Sequence, residues 1–358
     1  MTYYRPVAGP LGRHPLGGRN WEGFSPDPYL TGVAVGLSVQ GMNKAGVQSC
    51  SKHFIGNEQE TQRSNSPDPI TGFDIEGISS NIDDRTLHEL YLWPFVNAVK
   101  AGTAALMCSY NRLNQTYSCE NDELLNGILK EELGFQGFVM SDWFATHTGV
   151  KSVNAGLDMT MPGPTNVSTV PTDESFFGKA LVDAVNNGSV TISRLDDMVR
   201  RIMLPYYALG QDIDYPTVDP TALLVESVTY GLGDLPNLPA RDVRADHATF
   251  IRKLGAAGTV LLKNVNSALP LKLPTNIGVF GNDAPAPETL SWLDTTTFEI
   301  GTLDVGGGSG SGRHSSLVSP LDAIKAKAQS IGARFQVSVC GFSMYLPGNS
   351  RNCSQVIG

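Results

Sequence analysis

Apolar and polar positions alternate between two periods along the first two hundred residues of the chain. Short apolar runs of strand length are separated by amphipathic stretches with helical spacing, the signature of repeated βα units. Asp27 to Ala45 reads as a helix and Val47 to His53 as a strand. Asp83 and Asp84 cap a helix in which Leu87, Leu90, Tyr91 and Phe95 recur at helical spacing, with Pro94 placed to kink it. The strand Ala104 to Tyr110, the helix Asn121 to Leu133 and the strand Phe138 to Asp142 come next. A short helix from Val150 to Asn154 precedes a strand from Gly156 to Met161. Helices over Glu174 to Asn186 and Ser193 to Tyr207 close the region.

Beyond residue 210 the periodicity fades into a stretch rich in Pro, Asp and Gly, which marks a linker. A second α/β pattern follows: a helix over Ala248 to Ala257, strands at Val260 to Leu262 and Ile277 to Phe280, a helix over Pro320 to Ile331 and a strand from Phe335 to Cys340. Gly341 to Gly358 is a polar tail with no clear element. The division expected is a first domain over 1–209, a linker over 210–245 and a second domain over 246–358. The Gly-rich run Gly306 to Gly312 lacks the Lys-Ser/Thr of a phosphate loop and opens no helix, so it reads as a surface loop.

Composition narrows the class. The chain has 358 residues, 41% hydrophobic and 17% charged, which is ordinary for a globular protein large enough for two domains. A net charge of −9 argues against a nucleic-acid partner, which favours a basic face. No apolar run approaches the ~18 residues that would cross a bilayer, so no membrane partner is expected. The N-terminus has no apolar stretch of a signal peptide. Sequons at Asn114, Asn166, Asn187 and Asn352 lean mildly towards a secreted origin. Of the five cysteines, Cys108 and Cys119 bracket a short polar loop that a disulfide can staple in an oxidising compartment; Cys340 and Cys353 are a second possible pair. Cys50 then reads as a buried thiol. No cysteine spacing resembles a zinc site.

Candidate chemistry gathers at strand ends. Gly137 to Trp143 (GFVMSDW) is an apolar run that stops on a carboxylate followed by an indole. In a parallel barrel that position faces the site, and a carboxylate there can attack or stabilise an anomeric carbon. The alternative is that Asp142 caps the next helix. Lys52 and His53 end the strand that begins at Val47, as donors to sugar hydroxyls or with one of the two turned to solvent. Tyr110 ends another strand, and Asp158 and Met159 lie near the end of the last. Arg19, in a loop with Trp21 and Glu22, offers a fork for vicinal hydroxyls or for a site carboxylate.

Several motifs together carry a family resemblance. Gly17 to Pro28 (GGRNWEGFSPDP), Lys52 to Gln59 (KHFIGNEQ), His88 to Pro94 (HELYLWP), Met107 to Asn111 (MCSYN), Gly134 to Trp143 (GFQGFVMSDW), Gly156 to Gly163 (GLDMTMPG) and Gly258 to Asn264 (GTVLLKN) resemble fungal β-glucosidases of glycoside hydrolase family 3. The resemblance covers most of the chain. It implies an α/β fold: an incomplete TIM-like (β/α) barrel followed by part of an α/β sandwich. It implies retaining hydrolysis of terminal β-D-glucosyl residues from cellobiose, cello-oligosaccharides or aryl β-glucosides, extracellularly and with no metal or organic cofactor. Asp142 would be the nucleophile and Trp143 a wall of the glucose subsite. Arg19, Lys52 and His53 match hydroxyl-binding residues; Tyr110 and Met107 match pocket lining.

Departures from the family pattern matter equally. Family members have barrel strands upstream of the segment matched here, and an acid/base Glu beyond the Gly-rich run. The last Glu in this chain is Glu299, and Gly307 stands where the family has Trp. A catalytically inactive, truncated remnant is therefore one alternative. A β-N-acetylhexosaminidase of the same family is the other, disfavoured by Gly56-Asn57-Glu58 where those enzymes have Gly-His-Gly.

Overall fold

The structure, a computed structural model, describes residues 2–3, 6–165, 174–216, 242–281, 283–286, 301–302, 306, 308–310, 316–338 and 356–357. The chain forms two compact units, Met1–Leu238 and Pro239–Gly358. The first is built on five parallel strands that neighbour one another in chain order: β1 (Thr2–Tyr3), β2 (Gln48–Phe54), β3 (Ala105–Cys108), β4 (Phe138–Trp143) and β5 (Met159–Met161). Sequential parallel order with helical crossovers is the wall of a (β/α) barrel. The crossovers are α1 (Pro28–Lys44), α2 (Trp93–Lys100), α3 (Glu123–Glu132, wound as a π-helix) and α4 (Val150–Asn154). Two more helices, α5 (Lys179–Asn186) and α6 (Ile192–Ala208), follow β5.

The continuous apolar strands are explained by burial on both faces. Leu106 and Val139 point outward and pack with Val35, Val39, Phe95 and Leu129 from the helices. Between them, Ala105, Met107, Phe138 and Met140 point the other way and form a small inner cluster with Cys50. Phe54 meets Phe95 edge to face at 5.0 Å, fastening β2 to α2.

Helix ends follow the local chemistry. Asp27 accepts the Tyr29 N–H at 2.9 Å and Pro28 sits at the first helical position, so α1 starts as the sequence indicates. Asp83 likewise accepts from Thr86 N–H at 3.0 Å. The single long helix expected after it is instead three pieces: Asp84–Thr86, a π-type turn over Leu87–Tyr91, and α2. Pro94 has no N–H to give to the preceding turn, so α2 restarts at Trp93 rather than bending.

Other boundaries also differ from expectation. The last barrel strand shortens to Met159–Met161, and α5 begins at Lys179, five residues after Glu174. Within the expected linker, residues 217–241 lie outside the described residues. Its beginning belongs to the first unit: Gln211 is buried and exchanges hydrogen bonds with Gln48 and the Gly46 carbonyl, and Tyr215 donates to the same carbonyl.

Gly137 shows how tightly β4 enters the sheet. A Cβ there would lie 2.1 Å from the Ala104 carbonyl oxygen, a contact with backbone that no rotamer relieves. Gly137→Ala is expected to destabilise the first unit by about 3 kcal/mol, the upper range for overpacking, measured as a lowered urea midpoint.

The second unit holds α7 (His247–Gly258), α8 (Pro320–Ser330) and a three-stranded sheet of β6 (Asn276–Phe280), β7 (Arg334–Ser338) and β8 (Val356–Ile357). β6 and β7 are parallel, and β8 runs antiparallel to β7. The tail read as featureless therefore supplies a strand. Conversely, Val260 to Leu262 is not a strand: no neighbouring strand pairs with it among the described residues, and Leu262 is 92% exposed. Pro320 follows the cap Ser319, whose hydroxyl accepts the Asp322 N–H at 3.1 Å. The Gly-rich run lies partly, and Cys340 and Cys353 wholly, outside the described residues.

Candidate active site

The C-terminal ends of β2, β3 and β4 bring the candidate residues together. Lys52 and His53 are both buried, so neither turns to solvent. The cause is a register shift: Lys52 pairs with Met107 and Phe54 with Cys108, giving β2 one residue more than β3 at this point. Such a bulge re-aims side chains and lets two adjacent residues serve one site. Pro6 to Gly9 runs alongside, accepting the Lys52 N–H on Pro6 O at 3.1 Å and donating from Ala8 N–H to Lys52 O at 2.7 Å.

Asp142 ends β4 beside a second register shift, where Met140 and Trp143 pair with Met159 and Met161. Ser141 Oγ accepts the Met161 N–H at 2.8 Å and holds this irregular end in place. Asp142 Oδ1 accepts the Trp143 N–H at 2.8 Å, and Oδ2 stands 3.3 Å from His53 Nε2. The capping alternative is not realised, because α4 begins eight residues later and is preceded by Gly149. Trp143 is half-buried against the inner cluster that contains Met107.

Arg19 does not present its fork outward. Its Nε and Nη2 donate to Glu22 Oε1 and Oε2 at 2.5 and 3.1 Å, and Lys52 Nζ stands 3.3 Å from Glu22 Oε2. Glu22, three residues from Arg19 in the loop, is the site residue that the sequence did not mark. Arg63 is another: its guanidinium lies 4.2 Å from the Tyr110 ring centroid and pairs with Glu60 at 2.7 Å. The clue to Glu22 was its i,i+3 spacing from Arg19; nothing in the Arg63 segment announced its partner.

Electrostatics follow from burial. Burial lifts Asp142 above the usual carboxylate range, against the Trp143 N–H and the charges of Arg19, Lys52 and Arg63. Burial also drives His53 well below the ordinary histidine range, helped by Lys52 and Arg19, so the ring is neutral. For Glu22, burial pushes upward, but the Arg19 hydrogen bond and Lys52 charge outweigh it and hold the carboxylate low. Glu22 is thereby kept ionised, the opposite of what a proton donor needs. Burial and the Asp142 charge raise the Tyr110 phenol, which stays neutral.

Cys108 and Cys119 are joined by a disulfide that closes the loop following β3. The same loop is tied to the β2 end by Ser109 Oγ and Asn111 Nδ2, both donating to Ile55 O at 3.2 and 3.1 Å. Tyr110 is held between those anchors. Cys50 is a buried free thiol in the inner cluster.

Asp158 is not part of the strand-end group. It precedes β5, at the opposite end, and its fully buried carboxylate accepts from Lys130 at 3.1 Å, Arg194 at 2.7 Å and the Val139 N–H at 2.8 Å. Of the sequon asparagines, Asn187 is exposed. Asn114 is exposed too, but its amide is engaged with both backbone groups of Ile82. Asn166 and Asn352 lie outside the described residues.

The C-terminal ends of β2, β3 and β4 thus gather a buried carboxylate, cations and aromatic rings, the arrangement expected at the site end of a parallel barrel. The model of the glycosyl hydrolase family 3 N-terminal domain matches residues 3–204, and that of the C-terminal domain matches residues 259–355. The chain belongs to glycosyl hydrolase family 3. It is 57% identical over 333 residues to "Probable beta-glucosidase G" of Aspergillus flavus, covering 90% of this chain and 41% of the relative. Among solved structures, the Chaetomium thermophilum beta-glucosidase aligns with a TM-score of 0.84 and 47% identity over 96% of this chain and 41% of that one. Beta-glucosidase 3B from Thermotoga neapolitana in complex with glucose aligns at 0.69 and 30% identity, over 93% and 39%. The chain therefore spans about two fifths of the length of the curated relatives it matches. Among the described residues no helix is long and apolar enough to cross a membrane.

Proposed function

We propose that this chain carries the glucose-binding and nucleophilic part of a retaining β-glucosidase, with Asp142 as the nucleophile. The observation that carries the reading is the Asp142 carboxylate at the end of β4, 3.3 Å from a neutral His53 and within the field of Arg19, Lys52 and Arg63. The relatives named as beta-glucosidases, one solved with glucose, support the sugar.

In this reading an Asp142 oxygen attacks the anomeric carbon as the bond to the leaving oxygen breaks, giving a glycosyl-enzyme ester that water then hydrolyses with overall retention. The surrounding cations favour the ionised carboxylate that attack requires, against the burial that disfavours it. Lys52 and Arg19 hold sugar hydroxyls, His53 meets another, and Trp143 and Tyr110 wall the ring. Terminal β-D-glucosyl units of cello-oligosaccharides or aryl glucosides fit this description. The domain division at 210–245 is kept as part of the proposal, with its first residues assigned to the barrel. A secreted, glycosylated origin is supported by the Cys108–Cys119 disulfide and by exposed Asn187.

The chain offers no assigned acid/base, so the test uses a substrate that needs little proton donation. Incubation with a 2-deoxy-2-fluoro β-glucoside bearing a dinitrophenyl leaving group should leave one fluoroglucosyl adduct, and peptide mapping should put it on Asp142. An unlabelled protein, or an adduct on another residue, rejects Asp142 as nucleophile.

A further inference from the structure

Glu22 is buried in the loop before α1, with its side chain only 1% exposed, and uses both oxygens on cations of the site. One oxygen takes Arg19 Nε; the other takes Arg19 Nη2 and faces Lys52 Nζ. A carboxylate so engaged is unsuited to attack or to proton transfer, and it reaches substrate only through its partners. We propose that Glu22 is a positioning residue whose bidentate grip on Arg19 and contact with Lys52 fix where these two cations stand at the sugar-binding end of the barrel. The proposal rests on the β-glucoside reading for the identity of the ligand, but its geometry does not.

Two consequences separate this role from mere packing. The Nε–Nη2 edge of the guanidinium is turned towards Glu22, so the direction of the remaining Nη1 edge is set by that pair. Lys52 is surrounded by Glu22 and Arg19 from the loop, Asp142 from β4, and His53 and Cys50 from its own strand. Burial, with Arg19, lowers the Lys52 ammonium below its ordinary range; Glu22, then Asp142, offset this in part. Removing the Glu22 charge therefore lets Lys52 lose its proton at lower pH.

The test is an NMR titration of protein carrying lysine labelled with carbon-13 at Cε, the Lys52 signal being assigned by its loss in Lys52→Arg. In Glu22→Gln the Lys52 midpoint should fall by about one pH unit or more relative to wild type. An unmoved midpoint overturns the electrostatic half of the proposal. Glu22→Asp keeps the charge but withdraws it by one methylene. There the midpoint should stay near wild type while glucose affinity, followed by calorimetry, falls about tenfold. Wild-type glucose affinity in Glu22→Asp overturns the positioning half. The lysine titration needs no sugar, so it judges Glu22 even if wild type bound no glucose at any pH. That last outcome would count against the β-glucoside reading alone.

Discussion

Asparagine in place of Asp142 is expected to abolish turnover of aryl β-glucosides and, at neutral pH, to make the protein harder to melt. Loss of a nucleophile commonly costs about 10^4-fold or more in rate, since the remaining contacts bind without forming the covalent intermediate. The gain in stability comes from burial, which raises the Asp142 carboxyl above its ordinary value despite the neighbouring cations. Between the unfolded and folded values the native state holds more protons than the unfolded one. The carboxyl's contribution is thus intact below about pH 4 and is lost as pH rises through the folded value. Asn never ionises and escapes that loss. A series of melts from acid to neutral pH should show the variant equal to wild type at the acid end and higher above it. A variant that is inactive but less stable than wild type at neutral pH, and equal to it only at the acid end, would show that the cations, not burial, dominate Asp142.

The largest stability loss should come from Asp158→Asn. The Asp158 carboxylate has no exposed surface and faces two cations, Lys130 and Arg194, as well as the Val139 N–H. Removing one side of a buried ion cluster leaves charges without compensation, which typically costs about 3–5 kcal/mol. Urea unfolding followed by circular dichroism should show a loss of that size in the first unit. It should depend on pH in one direction. Burial lowers Lys130 to about 8. Above that pH the lysine is neutral in wild type as well, so the deficit narrows to the part owed to the Arg194 contact. A difference independent of pH would remove Lys130 from the account.

Periodicity and punctuation made most of the barrel legible. α1 and α6 lie within a residue or two of where apolar spacing puts them, because Asp27 and Thr191 supply side-chain caps that the sequence displays; α4 lies where expected without such a cap. What stayed hidden depends on three-dimensional register. Nothing in Lys52-His53 states that β2 carries an extra residue there, and alternation alone would have sent one of the pair outward. Of the two partners of Glu22, only Arg19 is close enough in sequence to hint at its role; Lys52 comes thirty residues later. Asp158 misled in the opposite sense: it sits next to a strand, but at the end away from the site, and only the strand's true start at Met159 reveals that. Val260 to Leu262 has the apolar composition of a strand, but a strand exists only by pairing.

The bulge in β2 limits how this site can be rebuilt. A regular strand offers an interior one residue in two, so two neighbouring site residues would ordinarily demand two strands. Here a single backbone irregularity doubles the density of basic groups on one rung. Grafting Lys and His into a regular strand at the same positions would deliver one cation and bury the other group among the helices. The polar lining of the site is therefore encoded in strand length as much as in residue type. Deleting Ser51, which shortens β2 by one residue while keeping Lys52 and His53, should erase it.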